Sequence, residues 1–119
     1  MTEKEIHLVK AHEEASQYLH EIGEAMESAG PDEMREHVEE AMPFAQNVLD
    51  QLEEVLDATE DADTADRAEE AMHHIGVSMD QGDQALESPE DEIQDIVLEM
   101  RKHVEQSMIC LNEAIGIAP

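Results

Sequence analysis

Apolar residues recur at alternating intervals of three and four along four segments of this chain, and this spacing limits the possible folds more than any other feature. Side chains at such intervals share one face of an α-helix. The pattern therefore predicts four amphipathic helices, each with one apolar seam. The predicted seams are Leu8, His12, Ala15, Leu19, Ile22, Met26 and Ala29; Met34, Val38, Ala41, Ala45, Val48, Leu52 and Val55; Ala65, Ala68, Met72, Ile75, Met79, Gly82 and Leu86; and Ile93, Val97, Met100, Val104, Ser107, Leu111 and Ala114.

Breaks between the four patterns are short and contain helix-ending residues. Gly30-Pro31 and Ser88-Pro89 each put a proline near a helix start, and the third break, 57–64, is polar. We therefore expect helices near 3–28, 32–58, 64–87 and 90–115. Short connections favour an all-α, antiparallel up-down-up-down four-helix bundle, with residues 1–119 as a single domain. Pro43 lies inside the second helix and should kink it near 39–42.

Two segments of the sequence resemble each other. Residues 34–42 (MREHVEEAM) match residues 100–108 (MRKHVEQSM) at six of nine positions, and both begin on a predicted seam. The match favours a duplicated helical hairpin, in which helices one and two correspond to helices three and four. The alternative is that two helices rich in Glu, Ala and Met have similar sequences without a common origin.

Acidic residues dominate the charge of the chain. There are 32 Asp and Glu against 6 Lys and Arg, which gives a net charge of −26. Such a charge excludes direct nucleic-acid binding and disfavours anionic membrane surfaces. No apolar run approaches the roughly 20 residues of a membrane span, the first residues lack the apolar stretch of a secretory signal, and one Cys cannot form an intrachain disulfide. We expect a cytoplasmic monomer or homodimer.

Seven histidines are the least expected residues in this composition. Counting outward from each turn of an antiparallel bundle puts His74 level with His103, and His12 level with Glu70. The sequence thus predicts a site for a divalent transition metal (Zn, Cu, Ni or Fe) formed by His12, Glu70, His74 and His103. The alternative is ordinary helix-surface pairing, because acids are so frequent that almost every His has one a turn away.

Other site chemistries fit the sequence less well. A di-iron carboxylate site needs Glu-x-x-His on two helices, and only Glu70-x-x-His73 matches. Methionines on the seams are expected to fill the core, and Cys110 to be a partly buried thiol; the alternative is a Cu(I) site formed by Met with Cys110 and His103. With no phosphate loop or nucleophile–base pattern evident, we expect a non-catalytic binding protein.

The acidic helix faces support two further interpretations. Rows of carboxylates, such as those at 53, 54 and 57, can imitate nucleic-acid phosphates and bind a basic nucleic-acid-binding protein. They can also be the solvated surface of a structural bundle adapted to high salt. Both interpretations need the same residues, so a partner has to distinguish them.

Overall fold

The computed structural model describes residues 2–117 and contains four α-helices. They are α1 (Glu3–Met26), α2 (Pro31–Ala58), α3 (Ala62–Glu87) and α4 (Glu90–Ile117). Each packs antiparallel to the next one in the chain, and α4 returns beside α1, which leaves α1 diagonal to α3. The predicted all-α four-helix bundle is confirmed, and over the described residues it contains no strand.

Local sequence explains where the helices begin. The Thr2 hydroxyl accepts the backbone N–H of Glu5 at 3.2 Å, and Pro31 occupies the first turn of α2, where a missing N–H costs nothing. Asp61 caps α3 by accepting the N–H of Asp63 and of Thr64. Hydrogen bonds from Thr64 and these backbone groups lower the pKa of Asp61, because they favour its charged form.

Two of the four predicted seams form the core without change. Every predicted seam residue of α2 and α4 is buried, from Met34 to Val55 and from Ile93 to Ala114. Apart from Cys110, which is also buried, the buried positions alternate at three and four residues, which is the repeat of helices that wrap around one another in a left-handed supercoil. Pro43 is exposed, and α2 continues through it; its predicted kink stays a prediction.

The predicted seams of α1 and α3 are partly wrong. In both helices every second predicted position is displaced by one residue, and the buried residue is the smaller or more polar one before it. Ala29, predicted as the last seam residue of the first helix, lies beyond the end of α1 and is exposed. His12 is half-buried beside a fully buried Ala11, and Met72 beside Ala71. The residues that replace predicted seam members in the core are Ala11, Tyr18, Ala25, Thr64, Ala71, Ser78 and Ala85.

The predicted seams place several large apolar residues in the core. These residues instead line the edges between the two hairpins. Leu19 and Met26 on α1 and Met72, Met79 and Leu86 on α3 are partly buried and pack against the core from outside. Small residues at the centre let the helices approach closely. A Cβ added to Gly82 would lie 2.9 Å from the sulfur of Met42, so a larger residue there requires the thioether side chain to move.

A hydrogen bond crosses the core between the two diagonal helices. The Tyr18 hydroxyl donates to the Ser78 Oγ at 2.7 Å, and that hydroxyl in turn donates to the Ile75 carbonyl at 2.7 Å. Burial raises the pKa of Tyr18 to about 12. The phenol therefore stays neutral, and its polar end is satisfied inside an otherwise apolar core.

The two hairpins have matching arrangements of buried residues. Buried positions of α1 and α3 are 60 residues apart, as for Tyr18 and Ser78, and those of α2 and α4 are 59 apart, as for Met34 and Ile93. The similar segments 34–42 and 100–108 are 66 apart, which is one heptad further. They share a phase on the helix but lie at different levels, so the duplicated hairpin stays a prediction.

Candidate metal centre

The edge between α3 and α4 carries polar side chains. Arg67 Nε lies 2.8 Å from Glu113 Oε2, and the buried Ser107 Oγ donates to the Ala71 carbonyl at 3.1 Å. About one turn further toward the α3–α4 connection, near the middle of the bundle, the imidazole of His74 contacts that of His103. Both histidines flank the buried seams, so they are half-buried instead of lying in the core.

Potential metal ligands lie around His74, which contacts His103 on one side and Glu70 and Cys110 on the other. The Nδ1 atoms of His74 and His103 are 3.3 Å apart, with ring centroids 5.5 Å apart. One ligand atom from each of Glu70, His74 and Cys110 lies within 4.8 Å of the other two. The group thus offers one nitrogen, one sulfur and one carboxylate oxygen, and His103 adds a second nitrogen beside His74.

Burial and neighbouring charges shift the pKa values of His74 and Cys110. Burial lowers the pKa of His74, and proximity to His103 and His73 lowers it further, against the opposing effect of Glu70. Burial also raises the pKa of the Cys110 thiol, as do the carboxylates of Glu70 and Glu113. At neutral pH the imidazole is therefore a free electron-pair donor, whereas the thiol must lose a proton to bind a cation.

Arg67 forms an ion pair with the carboxylate of Glu70, which is one of the potential metal ligands. Its Nη1 lies 3.3 Å from Glu70 Oε2, while its Nε is engaged by Glu113. The guanidinium competes with any cation for Glu70, which is exposed on its outer side. Glu70 is therefore the weakest of the four donors, and the two imidazoles and the thiol are the stronger ones.

Three of the four sequence-predicted ligands meet here, and His12 does not. Glu70, His74 and His103 lie on the α3–α4 edge. His12 lies two heptads before Met26, whose sulfur is 3.6 Å from Arg101 Nη1, so it belongs to the α1–α4 edge. Because His103 faces α3 and Arg101 faces α1, the two edges are on different sides of α4.

Cys110 is the ligand that the predicted set lacks. Its sequence signal is its spacing: it follows His103 by one heptad and therefore lies on the same edge of α4. The thiol is buried and faces Glu70 and His74 across the interface. Counting residues outward from the turn predicts that His74 and His103 are level. Placing Cys110 on the same edge of α4 also requires its heptad spacing from His103.

The α1–α2 edge carries two further groups of potential ligands, and they contain only carboxylates and one imidazole each. Glu21, His37 and Glu40 form one, and Glu3, His7 and Glu54 the other. His37 Nδ1 lies 3.4 Å from Glu21 Oε2, and His7 Nδ1 lies 2.7 Å from Gln51 Oε1. These contacts are those of ordinary surface ion pairs and hydrogen bonds in an acidic protein.

Comparison with known proteins does not identify a family. No protein-family model matches the chain, and neither a curated protein nor a solved structure shows significant similarity to it. None of the described helices is both long enough and apolar enough to cross a membrane.

Proposed function

We propose that this protein binds one transition-metal ion at the α3–α4 edge, through His74, His103 and Cys110 with Glu70 as an additional oxygen donor. The observation that carries the proposal is the convergence of His74, Cys110 and Glu70 across the α3–α4 interface, with the imidazole of His103 in contact with His74. Imidazole and thiolate together suit Zn²⁺ and copper, and imidazole with carboxylate also suits Fe²⁺ and Ni²⁺.

The spacing of the two imidazoles supports the proposal. Two nitrogens bound to one tetrahedral Zn²⁺ at about 2.0–2.1 Å are about 3.3–3.4 Å apart. The Nδ1 atoms of His74 and His103 are 3.3 Å apart. The same distance is that of a hydrogen bond between the neutral rings before an ion binds, so the ion needs a reorientation of the rings but no change in the separation of the two nitrogens.

The charge of the molecule favours cation binding at this edge. A net charge of −26 attracts cations and raises their concentration near the surface. That field acts on every cation and every carboxylate, so it supplies attraction without selectivity. Selectivity for a transition metal would come from the nitrogen and sulfur donors, which hard cations such as Mg²⁺ and Ca²⁺ do not favour.

The test measures metal stoichiometry and the sulfur–metal bond separately. After chelation, the protein is reloaded with Zn²⁺ or Co²⁺ and examined by native mass spectrometry and absorption spectroscopy. We expect one tightly held ion and a thiolate-to-cobalt absorption band. His74→Ala and His103→Ala should each weaken binding at least about tenfold, and Cys110→Ser should remove the band.

His12→Ala is the matched control, because His12 is equally half-buried but lies on another edge. It should leave stoichiometry, affinity and the cobalt band unchanged. If metal binding is unaffected by replacing His74, His103 or Cys110, or if it depends only on the number of carboxylates, these side chains have a structural role and the proposal is wrong.

A second candidate function is nucleic-acid mimicry, and the linear charge density favours it. The bundle is 46 Å long and 19 by 18 Å across, so 26 net charges over 46 Å give one negative charge per about 1.8 Å. Double-stranded DNA carries one per about 1.7 Å of its axis. We propose on this basis that a basic nucleic-acid-binding protein accepts the bundle in place of its nucleic acid.

Reversing one acidic face tests the mimicry proposal. Glu53, Glu54 and Asp57 are exposed on α2, and their replacement by Lys should weaken capture of a basic partner while leaving the helices intact. Binding should fall steeply with salt and should displace the partner's nucleic acid. A low-salt pull-down from the source cell that yields no basic nucleic-acid-binding protein contradicts the proposal and leaves salt adaptation to explain the charge.

A further inference from the structure

The outward side of α4 carries a second regular stripe of residues. We call Asp95, Leu98, Lys102, Glu105, Ile109 and Asn112 the outer α4 stripe. All six side chains are exposed, and they alternate at intervals of three and four like the buried seam of the same helix. Residues spaced in this way stay aligned along a supercoiled helix, so the stripe can contact another helix over its full length.

Aliphatic exposure is concentrated on this stripe. Among the residues that the structure describes, three large aliphatic side chains are exposed, and two of them are Leu98 at 39% and Ile109 at 49%. They lie on one line, three turns of helix apart. Single exposed aliphatics are common on protein surfaces, whereas two on one stripe of alternating three- and four-residue spacing favour a helix-pairing face.

The outer α4 stripe is also complementary to itself. Its residues are arranged symmetrically about the midpoint between positions 103 and 104. Lys102 and Glu105 lie on either side of this midpoint, and Leu98 and Ile109 lie further out on the same two sides. If a second copy runs antiparallel, Leu98 lies opposite the partner's Ile109, and Lys102 lies opposite the partner's Glu105. A two-fold axis then forms every contact twice, as an isologous dimer requires.

The local charge makes α4 the face on which two such acidic chains can meet. Residues 98–112 contain two acids and two bases, so their net charge is zero, and the remaining residues carry the whole −26. Within each copy Lys102 Nζ contacts Glu99 at 3.1 Å and Arg101 Nε contacts Glu105 at 2.9 Å, which keeps the neutral patch compact. Charge complementarity thus selects a second copy of this chain in this register.

We propose that two copies of this protein associate through the outer α4 stripe as an antiparallel, two-fold symmetric dimer. A single helix pair buries an area at the low end of specific interfaces, so the dimer is weak and depends on concentration. Long-range repulsion between the two acidic bodies opposes it. Moderate salt therefore strengthens the association, because screening removes the long-range repulsion before it weakens the direct Lys–Glu contacts.

Complementary charge variants test both the surface and the register. Sedimentation is measured at several hundred micromolar protein, in about 0.3 M NaCl, where the Debye length lies between about 8 Å and about 3 Å. A chelator is present, so metal cannot bridge two molecules. The wild type should dimerise, and Lys102→Glu and Glu105→Lys should each weaken dimerisation at least about tenfold, since each puts two like-charged pairs opposite one another.

An equimolar mixture of the two variants should dimerise again. In the mixed dimer every Glu at 102 or 105 of one chain meets a Lys of the other. Leu98→Glu should also abolish association, whereas Ile6→Glu, at the same 39% exposure on α1, should not. Circular dichroism confirms that each variant is folded.

Three results would each overturn the dimer: a wild type that stays monomeric at these concentrations, single charge variants that associate as well as the wild type, or a mixture that does not recover.

Discussion

At the scale of single residues, the chemistry of a histidine depends on its surroundings in the bundle more than on how many histidines the chain contains. His20 is exposed and pairs only with Glu24 one turn away, at 3.6 Å. His74 is half-buried between α3 and α4 beside another imidazole, and burial together with that neighbour lowers its pKa. The same residue type is a surface ion-pair partner at one position and a neutral donor at the other, because the packing differs.

His74 should titrate below the ordinary histidine value of about 6.5. Replacing Glu70 with Gln should lower its pKa further, and replacing His103 with Ala should raise it, because the first removes a favourable charge and the second an unfavourable one. A lowered folded-state pKa means that the unfolded chain binds the proton more readily. The stability that His74 contributes is therefore complete above about pH 6.5 and is lost as pH falls through the folded-state pKa.

Two-dimensional NMR titration of the imidazoles in chelator-treated protein measures these shifts. His20→Gln is the control, since it should leave the His74 titration unchanged. A His74 that titrates at or above 6.5 would show that the α3–α4 edge is more hydrated than its geometry indicates.

At the scale of helices, glycine positions distinguish close contact from open surface. A Cβ at Gly23 or Gly76 would meet no heavy atom within 4 Å, whereas at Gly82 it would meet Met42 at 2.9 Å and Met100 at 3.0 Å. All three are inside helices, where glycine is entropically unfavourable. Only at Gly82 does the packing between helices explain the missing side chain.

Alanine substitution at these three positions should give two gains and one neutral or unfavourable result. Gly23→Ala and Gly76→Ala should each raise the free energy of unfolding by about 0.5–1 kcal/mol. Gly82→Ala should gain nothing, because the helix preference is offset by displacement of the two thioether side chains. Denaturant unfolding at fixed pH and salt measures the difference, and an equal gain at Gly82 would mean that the methionines yield freely.

At the scale of the whole molecule, charge opposes the fold that hydrophobic burial stabilises. The core is continuous along the bundle, yet 26 uncompensated negative charges lie within 46 Å of length. The few bases are used locally: all three arginines are paired with carboxylates. Self-repulsion therefore acts over the whole surface and should be the largest salt-dependent contribution to stability.

The midpoint of thermal unfolding should rise with NaCl by at least about 5 °C between low and molar salt, which corresponds to about 1 kcal/mol for a domain near this size. Most of the rise should come before about 1 M, where the Debye length has fallen to about 3 Å. Sucrose of equal osmolality serves as the uncharged control in calorimetry. A midpoint that is independent of salt would contradict dominant self-repulsion.

Hydrophobic spacing was sufficient to predict the fold. In α2 and α4 every predicted seam position is buried, although larger residues such as Phe44 and Ile96 are only partly buried. In α1 and α3 the same spacing was displaced, because Leu19, Met72 and other large residues cover the edges between hairpins while Ala and Ser fill the centre. Periodicity determines which residues share a face, but it does not distinguish the centre of a wide apolar face from its border.

The candidate site shows the same division. Counting along antiparallel helices was enough to put His74 level with His103, because helical rise is constant, and Glu70 lies one turn from His74 on the same helix. The side of α4 on which each residue lies was decided by which helices are neighbours, and this separates His12 from the others and adds Cys110. Sequence spacing thus determined helices, phase and level, and tertiary packing decided which polar edges face each other, since that depends on how four helices are arranged around a common core.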